Sequence, residues 1–245
     1  MTTPWWPELY DDLLADVLLE DTSEIADTLR FLVEHLRLSP GARVFDQCSG
    51  TGRLSIPLAR WGANVVGVEQ AARYVERARA AARAANVAAS FEVGDAFEYV
   101  PDAPCAAAIN WWTSFGYLPD DDANARMLRR AFEALAPGGW FAIDYPNIAN
   151  LFVAFRPHEI TRRAGITMLR ESRLDLAAGL LHKQWTFITD EQRTERTSTL
   201  KLYTPDRLGA LLAQAGFVDL QFFGGLDSAP VSLDRPRCIV IGARP

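Results

Sequence analysis

Between residues 43 and 145 short apolar runs take turns with amphipathic runs of helical period, and this alternation limits the fold more than any other feature. Arg43 to Asp46, Asn64 to Val68, Ser90 to Val93, Ala106 to Ile109 and Trp140 to Tyr145 read as strands. Leu54 to Trp61, Arg73 to Ala85 and Asn124 to Leu135 read as helices, and Pro137-Gly138-Gly139 reads as a turn. Parallel strands need a long crossover, usually helical, so this order predicts a doubly wound α/β sheet covered on both faces. After Phe155 the rhythm changes. Thr167 to Leu174, Leu181 to Ile188 and Thr197 to Tyr203 follow one another with turns only, so they should pair antiparallel as a small insertion sitting on the main sheet. Thr204-Pro205-Asp206 opens a helix that Gly216 closes, and strands at Val218 to Phe223 and Arg237 to Ile241 complete a mostly parallel sheet of seven.

Ahead of the first strand, Glu8, Asp11, Asp12, Asp16, Glu20, Asp21, Glu24, Asp27 and Glu34 face only Arg30 and Arg37, while Ile25, Leu29, Leu32 and Leu36 keep helical spacing. This predicts a helical lid over residues 1–40 with a solvated acidic face. The 245 residues contain no internal repeat and no linker long enough to separate two domains, so a single domain is expected. No apolar stretch reaches the ~18 residues of a membrane span, and the opening Met1-Thr2-Thr3-Pro4-Trp5-Trp6 lacks the order of a signal peptide. The expectation is a soluble, cytoplasmic chain without membrane partners; nothing speaks to its oligomeric state. Cys48, Cys105 and Cys238 lie far apart, with only His35, His158 and His182 to assist, so reduced thiols and no metal are expected. A net charge of -6, with Lys183 and Lys201 as the only lysines, argues against a nucleic-acid substrate.

Chemistry concentrates after the first two strands. Val44-Phe45-Asp46 runs into Gln47-Cys48-Ser49-Gly50-Thr51-Gly52-Arg53, and Glu69 ends the second strand 23 residues after Asp46. Glycines after a strand let backbone approach a ligand, and an acid ending the next strand can accept from both hydroxyls of a ribose. The dinucleotide fingerprint wants a third glycine, but Arg53-Leu54-Ser55 follows here. An acid before the glycines suits instead a ligand carrying an amine or ammonium group. Gly94-Asp95-Ala96-Phe97 adds a carboxylate for an adenine amino group and a ring to pack on it.

These segments, with Leu135-Ala136-Pro137-Gly138-Gly139, resemble the class I S-adenosylmethionine-dependent methyltransferases over nearly the whole chain. Asn110-Trp111-Trp112-Thr113-Ser114-Phe115-Gly116-Tyr117, Lys201 to Pro205, Gln214 to Phe217 and the end after Phe223-Gly224-Gly225 are similar to its small-molecule branch. One departure is Cys48, which stands where the first loop glycine is usual. The resemblance implies a cofactor-binding core over 41–150, an antiparallel insertion over 160–203 and a final helix and strands over 204–245. It implies that S-adenosyl-L-methionine meets Asp46, Ser49, Gly50, Thr51 and Gly52 with its methionine part. Glu69 would take the ribose, Asp95, Ala96 and Phe97 the adenine, and Asn110 the region of the sulfonium, with Gln70 also among the cofactor-binding residues.

Open α/β sheets bind ligands beyond the carboxyl ends of their strands. There Trp111, Trp112, Phe115, Tyr117 and Tyr145, with Trp5, Trp6 and Tyr10 from the lid and Trp185 from the insertion, can form an aromatic cage for a flat acceptor. The same rings can equally serve to pack the lid onto the sheet. No dedicated catalytic base is required; Tyr10 and Asn147 are candidate orienting groups. Cys105 precedes its strand, so it should lie away from the ligands, and His158 and His182 read as structural. The Tyr10-Asp11-Asp12-Leu13-Leu14 opening and the tryptophan-rich segments are similar to N-methyltransferases of toxoflavin-type azapteridine biosynthesis, which implies transfer to a ring nitrogen. Amino sugars, phenols and carboxylates remain alternative acceptors. A nicotinamide-dependent oxidoreductase and a non-catalytic cofactor-binding protein remain the alternatives from other classes.

Overall fold

A computed structural model describes residues 4–19 and 22–245 of the chain; Glu20 and Asp21, counted in the acidic lid, lie outside the described residues. The strands are β1 (Arg43–Gln47), β2 (Asn64–Glu69), β3 (Ala89–Val93), β4 (Cys105–Asn110), β5 (Leu135–Pro146), β6 (His158–Arg163), β7 (Ile166–Asp175), β8 (Leu180–Ile188), β9 (Arg193–Lys201), β10 (Val218–Phe223) and β11 (Arg237–Ala243). Seven of them form the main sheet in the order β10-β11-β5-β4-β1-β2-β3, parallel except for β11. The chain leaves β1 toward β2 and β3 and then returns to place β4 on the other side. That reversal between β1 and β4 opens the crevice in which such sheets hold ligands.

The two-residue period of the strands sorts the core into two layers. Val44, Ala142 and Ile241 face α3 (Ile25–His35) and α4 (Ser55–Trp61), where Phe31, Leu32 and Leu58 are buried. Phe45, Phe141, Ile143 and Val240 face α6 (Asp121–Ala134) and α8 (Pro205–Ala215) through Met127, Leu128, Leu208 and Leu211. The expected Pro137-Gly138-Gly139 turn is instead the irregular start of β5, with a register shift against β4 between Cys105 and Ala107. Gly139 is needed there because a Cβ would lie 2.9–3.2 Å from three backbone carbonyl oxygens.

The antiparallel segment packs against the core of the main sheet without pairing into it. It is a sheet of its own, β6-β7-β8-β9, including the strand β6 that the sequence reading lacked. Ile160 is the one large apolar residue of β6 and is exposed, so the strand has no burial pattern to betray it. At one end of this sheet Leu181 and Leu200 join the core beside Tyr145. At the other, Ile166, Met168, Trp185 and Phe187 are covered by Leu9, Leu14 and Val17 of the lid. The lid comprises α1 (Trp6–Leu9), α2 (Asp12–Leu14), a π-helical turn (Ala15–Leu19) and α3.

Its acids are not simply solvated. Asp12 and Asp16 reach Arg73 and Arg77 of α5 (Ala72–Ala85) at 3.4 and 3.2 Å, and Asp11 caps α2 by accepting from the Leu14 amide at 3.1 Å. Such exposed pairs contribute only ~0–1 kcal/mol each, but together they orient the lid over the crevice. Among the described residues no helix is long and apolar enough to cross a membrane.

Gly67 lies at the closest approach in the sheet, where an added Cβ would meet Phe91 Cδ1 and Ser49 Oγ, both at 2.7 Å. Gly67→Ala is expected to destabilise the protein by about 1–3 kcal/mol, as overpacking does, with a matching fall in the urea midpoint at unchanged m-value.

Candidate functional site

The crevice at the carboxyl ends of β1 to β4 is a cleft with about 820 Å³ of empty space, some of it open to solvent. Its floor is the loop after β1. The Ser49 amide donates to Val68 O at 2.9 Å and the Gly52 amide to Ser49 O at 3.0 Å, while the Glu69 carboxylate accepts from the amides of Gly50 (3.1 Å) and Ala71 (2.8 Å). Glu69 therefore both faces the cleft and holds the loop. Gly50, at φ +56°, has no atom within 4 Å of where a Cβ would stand, so its backbone is bare toward the cleft. Cys48 keeps a left-handed φ of +65° even though it is not glycine, so the loop has the glycine-type turn without the glycine. Asp95 accepts from the Phe97 amide at 2.9 Å, and Gln70, Asp95, Ala96 and Phe97 line the nucleoside-sized end.

Three expected contact residues stand behind this wall rather than in it. Asp46 is buried and accepts from Ser55 Oγ at 2.5 Å, which ties β1 to the start of α4. Gly52 faces Phe91, Ala78 and Ile56, so its role is packing against α5. Asn110 donates to Gln47 Oε1 (3.1 Å) and Met127 Sδ (3.3 Å). Gln47 in turn donates to the carbonyls of Ala96 and Met127, both cleft residues, at 3.2 and 3.0 Å. This buried amide pair fixes the wall; Gln47 escaped the sequence reading because a lone glutamine in a strand signals nothing until its partners are placed.

The aromatic residues divide. Tyr10, Trp111 and Trp112 line the cleft, joined by Trp6, Tyr74 and Tyr117. The hydroxyls of Tyr10 and Tyr117 are hydrogen-bonded to each other, and the ring of Trp5 lies 4.7 Å from that of Tyr117. Trp112 and Thr113 are consecutive left-handed residues, φ +54° and +63°, a strain of order 1–2 kcal/mol each. Arg53 stacks on the Trp112 ring at 3.4 Å and donates to Leu18 O of the lid at 3.1 Å.

Phe115 and Tyr145 are core residues, packed with Tyr203 at 5.6 and 5.9 Å, and the Tyr145 hydroxyl donates to Lys201 O. Trp185 packs the second sheet under the lid, its Nε1 donating to Ser198 Oγ at 2.8 Å. Asn147 caps α7 (Ile148–Val153) and donates to Ser232 O and Arg235 O at 2.7 and 2.8 Å; it orients a loop, not a ligand. The physical reason is common to all four: each finds its neighbours through chain crossings invisible in a linear pattern. Cys105 lies buried at the start of β4, at the opposite end of that strand. Among the described residues no His, Cys, Asp and Glu cluster could hold a metal.

Burial raises Asp46 and Glu69 beside the loop. Asp46 is pushed up to about 7 by desolvation, with Ser55 opposing and Glu69 adding; Glu69 is raised by desolvation against its backbone donors. The Cys48 thiol is pushed well up by burial and by the Glu69, Asp46 and Asp95 carboxylates. Burial also raises Tyr10 and Tyr117, so both phenols stay protonated at neutral pH. The cleft thus pairs a carboxylate-rich, cation-attracting floor with a neutral aromatic chamber.

Residues 44–139 match a family model described as a methyltransferase domain, a span that covers β1 through the start of β5. The chain is 32% identical over 143 residues to a 23S rRNA (uracil(1939)-C(5))-methyltransferase RlmD from Shewanella sp. strain W3-18-1. That alignment takes in 58% of this chain and 29% of the relative, so the chain spans under a third of the relative's length. An S-adenosylmethionine-dependent methyltransferase structure from Clostridium acetobutylicum superposes with a TM-score of 0.82 at 15% identity, covering 94% of this chain and 96% of the other. The sugar N-methyltransferase KedS8 from Streptoalloteichus sp. does so with 0.70 at 20% identity, covering 93% and 89%. The fold is that of the class I methyltransferases, and within it residues 44–139 match the methyltransferase-domain model. The bare Gly50 backbone and the carboxylates of Glu69 and Asp95 fit a cationic, ribose-bearing ligand.

The raised acids fix a sign. A carboxyl whose folded pKa exceeds its unfolded value binds protons more tightly when folded, so acidification from pH 8 to 6 should stabilise the ligand-free protein. Asp46→Asn is expected to flatten that rise, because its titration near 7 dominates this window. Thermal midpoints of both proteins across pH 6–8 check this.

Proposed function

We propose that the protein transfers the methyl group of S-adenosylmethionine to a small planar heteroaromatic acceptor, at a ring nitrogen. The observation that carries this reading is the junction of a carboxylate-floored nucleoside cleft with a chamber walled by Trp6, Tyr10, Trp111, Trp112 and Tyr117 and covered by the lid. Glu69 would accept from the ribose hydroxyls, and Asp95 would use the carboxylate oxygen not engaged by Phe97 for the adenine amino group. Phe97, Ala96 and Met127 would sandwich the base. When bound, the cofactor supplies an electrophilic methyl group on a sulfonium, whose charge disperses as the methyl leaves.

The chain's own residues then have little covalent work. Tyr10 and Tyr117, neutral and hydrogen-bonded to each other, can donate to or accept from an acceptor heteroatom and hold its lone pair in line; alignment of this kind accounts for much of such an acceleration. The lid and the tryptophans exclude water. Among the described residues no strong base faces the chamber, which suits a nitrogen that needs no deprotonation or a weakly acidic heterocycle. An azapteridine of the toxoflavin type has these properties.

A second reading is favoured by one observation. KedS8, a sugar N-methyltransferase, shares the fold over 93% of this chain, and an amino sugar would present a nitrogen lone pair once its ammonium form has lost a proton. An RNA acceptor, suggested by the partial likeness to RlmD, is disfavoured by the net charge of -6 and by the lid.

Calorimetry with S-adenosylhomocysteine and a methylation assay on planar N-heterocycles, amino sugars and ribosomal RNA fragments separate these readings. The expected results are cofactor-product binding to the wild type and methylated product among the heterocycles. Methylated sugar or RNA, with no heterocycle turned over, would overturn the acceptor assignment. Glu69→Ala is expected to weaken S-adenosylhomocysteine binding by about 1.5–3 kcal/mol, the scale of charge-assisted hydrogen bonds. It should also lower stability, because the same carboxylate holds the Gly50 and Ala71 amides. Trp112→Ala should raise the KM for the acceptor roughly tenfold or more, the scale of one lost stacking partner.

A further inference from the structure

Asp144, in the second half of β5, is a buried carboxylate with no place in the methyl-transfer reading above. Its Oδ2 accepts from the Trp112 amide at 3.2 Å and from Arg237 Nη1 at 3.1 Å, and its backbone carbonyl accepts from the Thr113 amide at 3.2 Å. It therefore supports both of the left-handed residues in the cleft wall. From that centre two chains of contacts run to the lid. One passes through the Trp112 ring to Arg53 and so to the Leu18 carbonyl, one residue from Leu19, which itself lines the cleft. The other passes through Arg237, whose second guanidinium nitrogen bonds Glu24. Leu18 belongs to the π-helical turn of the lid, and Glu24 immediately precedes α3.

We propose that Asp144 is a positioning residue that latches the lid: its carboxylate holds Trp112 in the cleft wall and, through Arg53 and Arg237, ties the lid down at Leu18 and at Glu24, which sets how fast the cofactor site opens. The geometry supports this over a purely structural role. A buried carboxylate is costly, and a neutral group could satisfy the single Trp112 amide, so the charge serves Arg237 and, through it, the lid. The charged and titratable groups around Asp144 among the described residues are Arg237 and Cys238 of β11 and Glu24 of the lid. Burial raises Asp144 to about 6, opposed by Arg237 and by the Trp112 amide and reinforced by Glu24. Cys238, held up by burial and by Asp144, stays a neutral thiol there. The latch is accordingly charged at neutral pH and uncharged in mild acid.

The inference rests on the cleft being the cofactor site, and the test keeps the two apart. S-adenosylhomocysteine is loaded onto wild type, Asp144→Asn and Glu24→Gln, and its release is followed by stopped-flow tryptophan fluorescence against a chase, from pH 5 to 8. At pH 7.5 Asp144→Asn should release it about tenfold faster and Glu24→Gln by a smaller factor, the loss expected for one charge-assisted contact. The ratio of Asp144→Asn to wild type should fall toward one below pH 6, where the wild-type carboxyl is itself neutral. A merely structural role would leave this ratio independent of pH. Equal release at pH 7.5, or a ratio that does not change with pH, overturns the latch. If Asp144→Asn fails to fold, unaltered release from Glu24→Gln overturns it. If S-adenosylhomocysteine does not bind the wild type, the functional reading fails, and the latch is judged by hydrogen exchange. Faster exchange of the Trp112 and Thr113 amides in Asp144→Asn supports it, and equal exchange overturns it.

Discussion

The contact between Glu69 and the backbone of the loop after β1 is the one on which the site depends. Two parallel strands side by side leave the loops at their carboxyl ends without ladder partners, and here a single carboxylate supplies them by accepting from Gly50 and Ala71. The loop can come that close only because residue 67 has no side chain; Ser49 and Phe91 occupy the space where one would be. The same carboxylate looks into the cleft. Loop order therefore rests on a group that also faces the cleft, its pKa raised by burial against the opposing pull of its backbone donors.

Around that contact the protein uses polar groups in two ways. Asp46, Gln47 and Asn110 face inward, each with a partner that joins the wall to a neighbouring strand or helix. Glu69 and Asp95 keep a face toward the cleft. Buried polar groups must be satisfied, and doing so with carbonyls of Ala96 and Met127 converts that requirement into a rigid nucleoside-sized wall. Cys48 fits the same scheme: burial and three nearby carboxylates keep its thiol neutral, so it lines the cleft without adding a charge.

The lid and the second sheet complete each other. Among the described residues Met168, Trp185 and Phe187 form one apolar cluster with Leu9, Leu14 and Val17, and Trp5, Tyr10, Leu13 and Leu18 pack against it. The lid is thereby anchored at one side by apolar burial and at the other by Arg53, Arg237 and the α5 arginines. Charged contacts of that kind are individually weak and sensitive to conditions, whereas the apolar side is not. The asymmetry gives the lid one edge held by apolar burial and one held by charged contacts.

By itself the sequence determined the alternation of strand and helix, the seven-stranded mostly parallel sheet, and the end of that sheet at which a ligand is held. It did so because period and turn chemistry are local and are written into neighbouring residues. It also marked Gly50, Glu69, Asp95 and Phe97, whose positions follow directly from strand ends. Only the tertiary structure decided that Asp46, Gly52 and Asn110 stand behind the wall, and that Phe115, Tyr145 and Trp185 are packing residues while Trp6 and Tyr117 enter the chamber. It alone brought Asp144 to Trp112 and Arg237. These assignments depend on which surfaces meet when strands distant in sequence become neighbours, and an aromatic or a carboxylate carries the same linear pattern whether it meets a ligand or another segment of the chain.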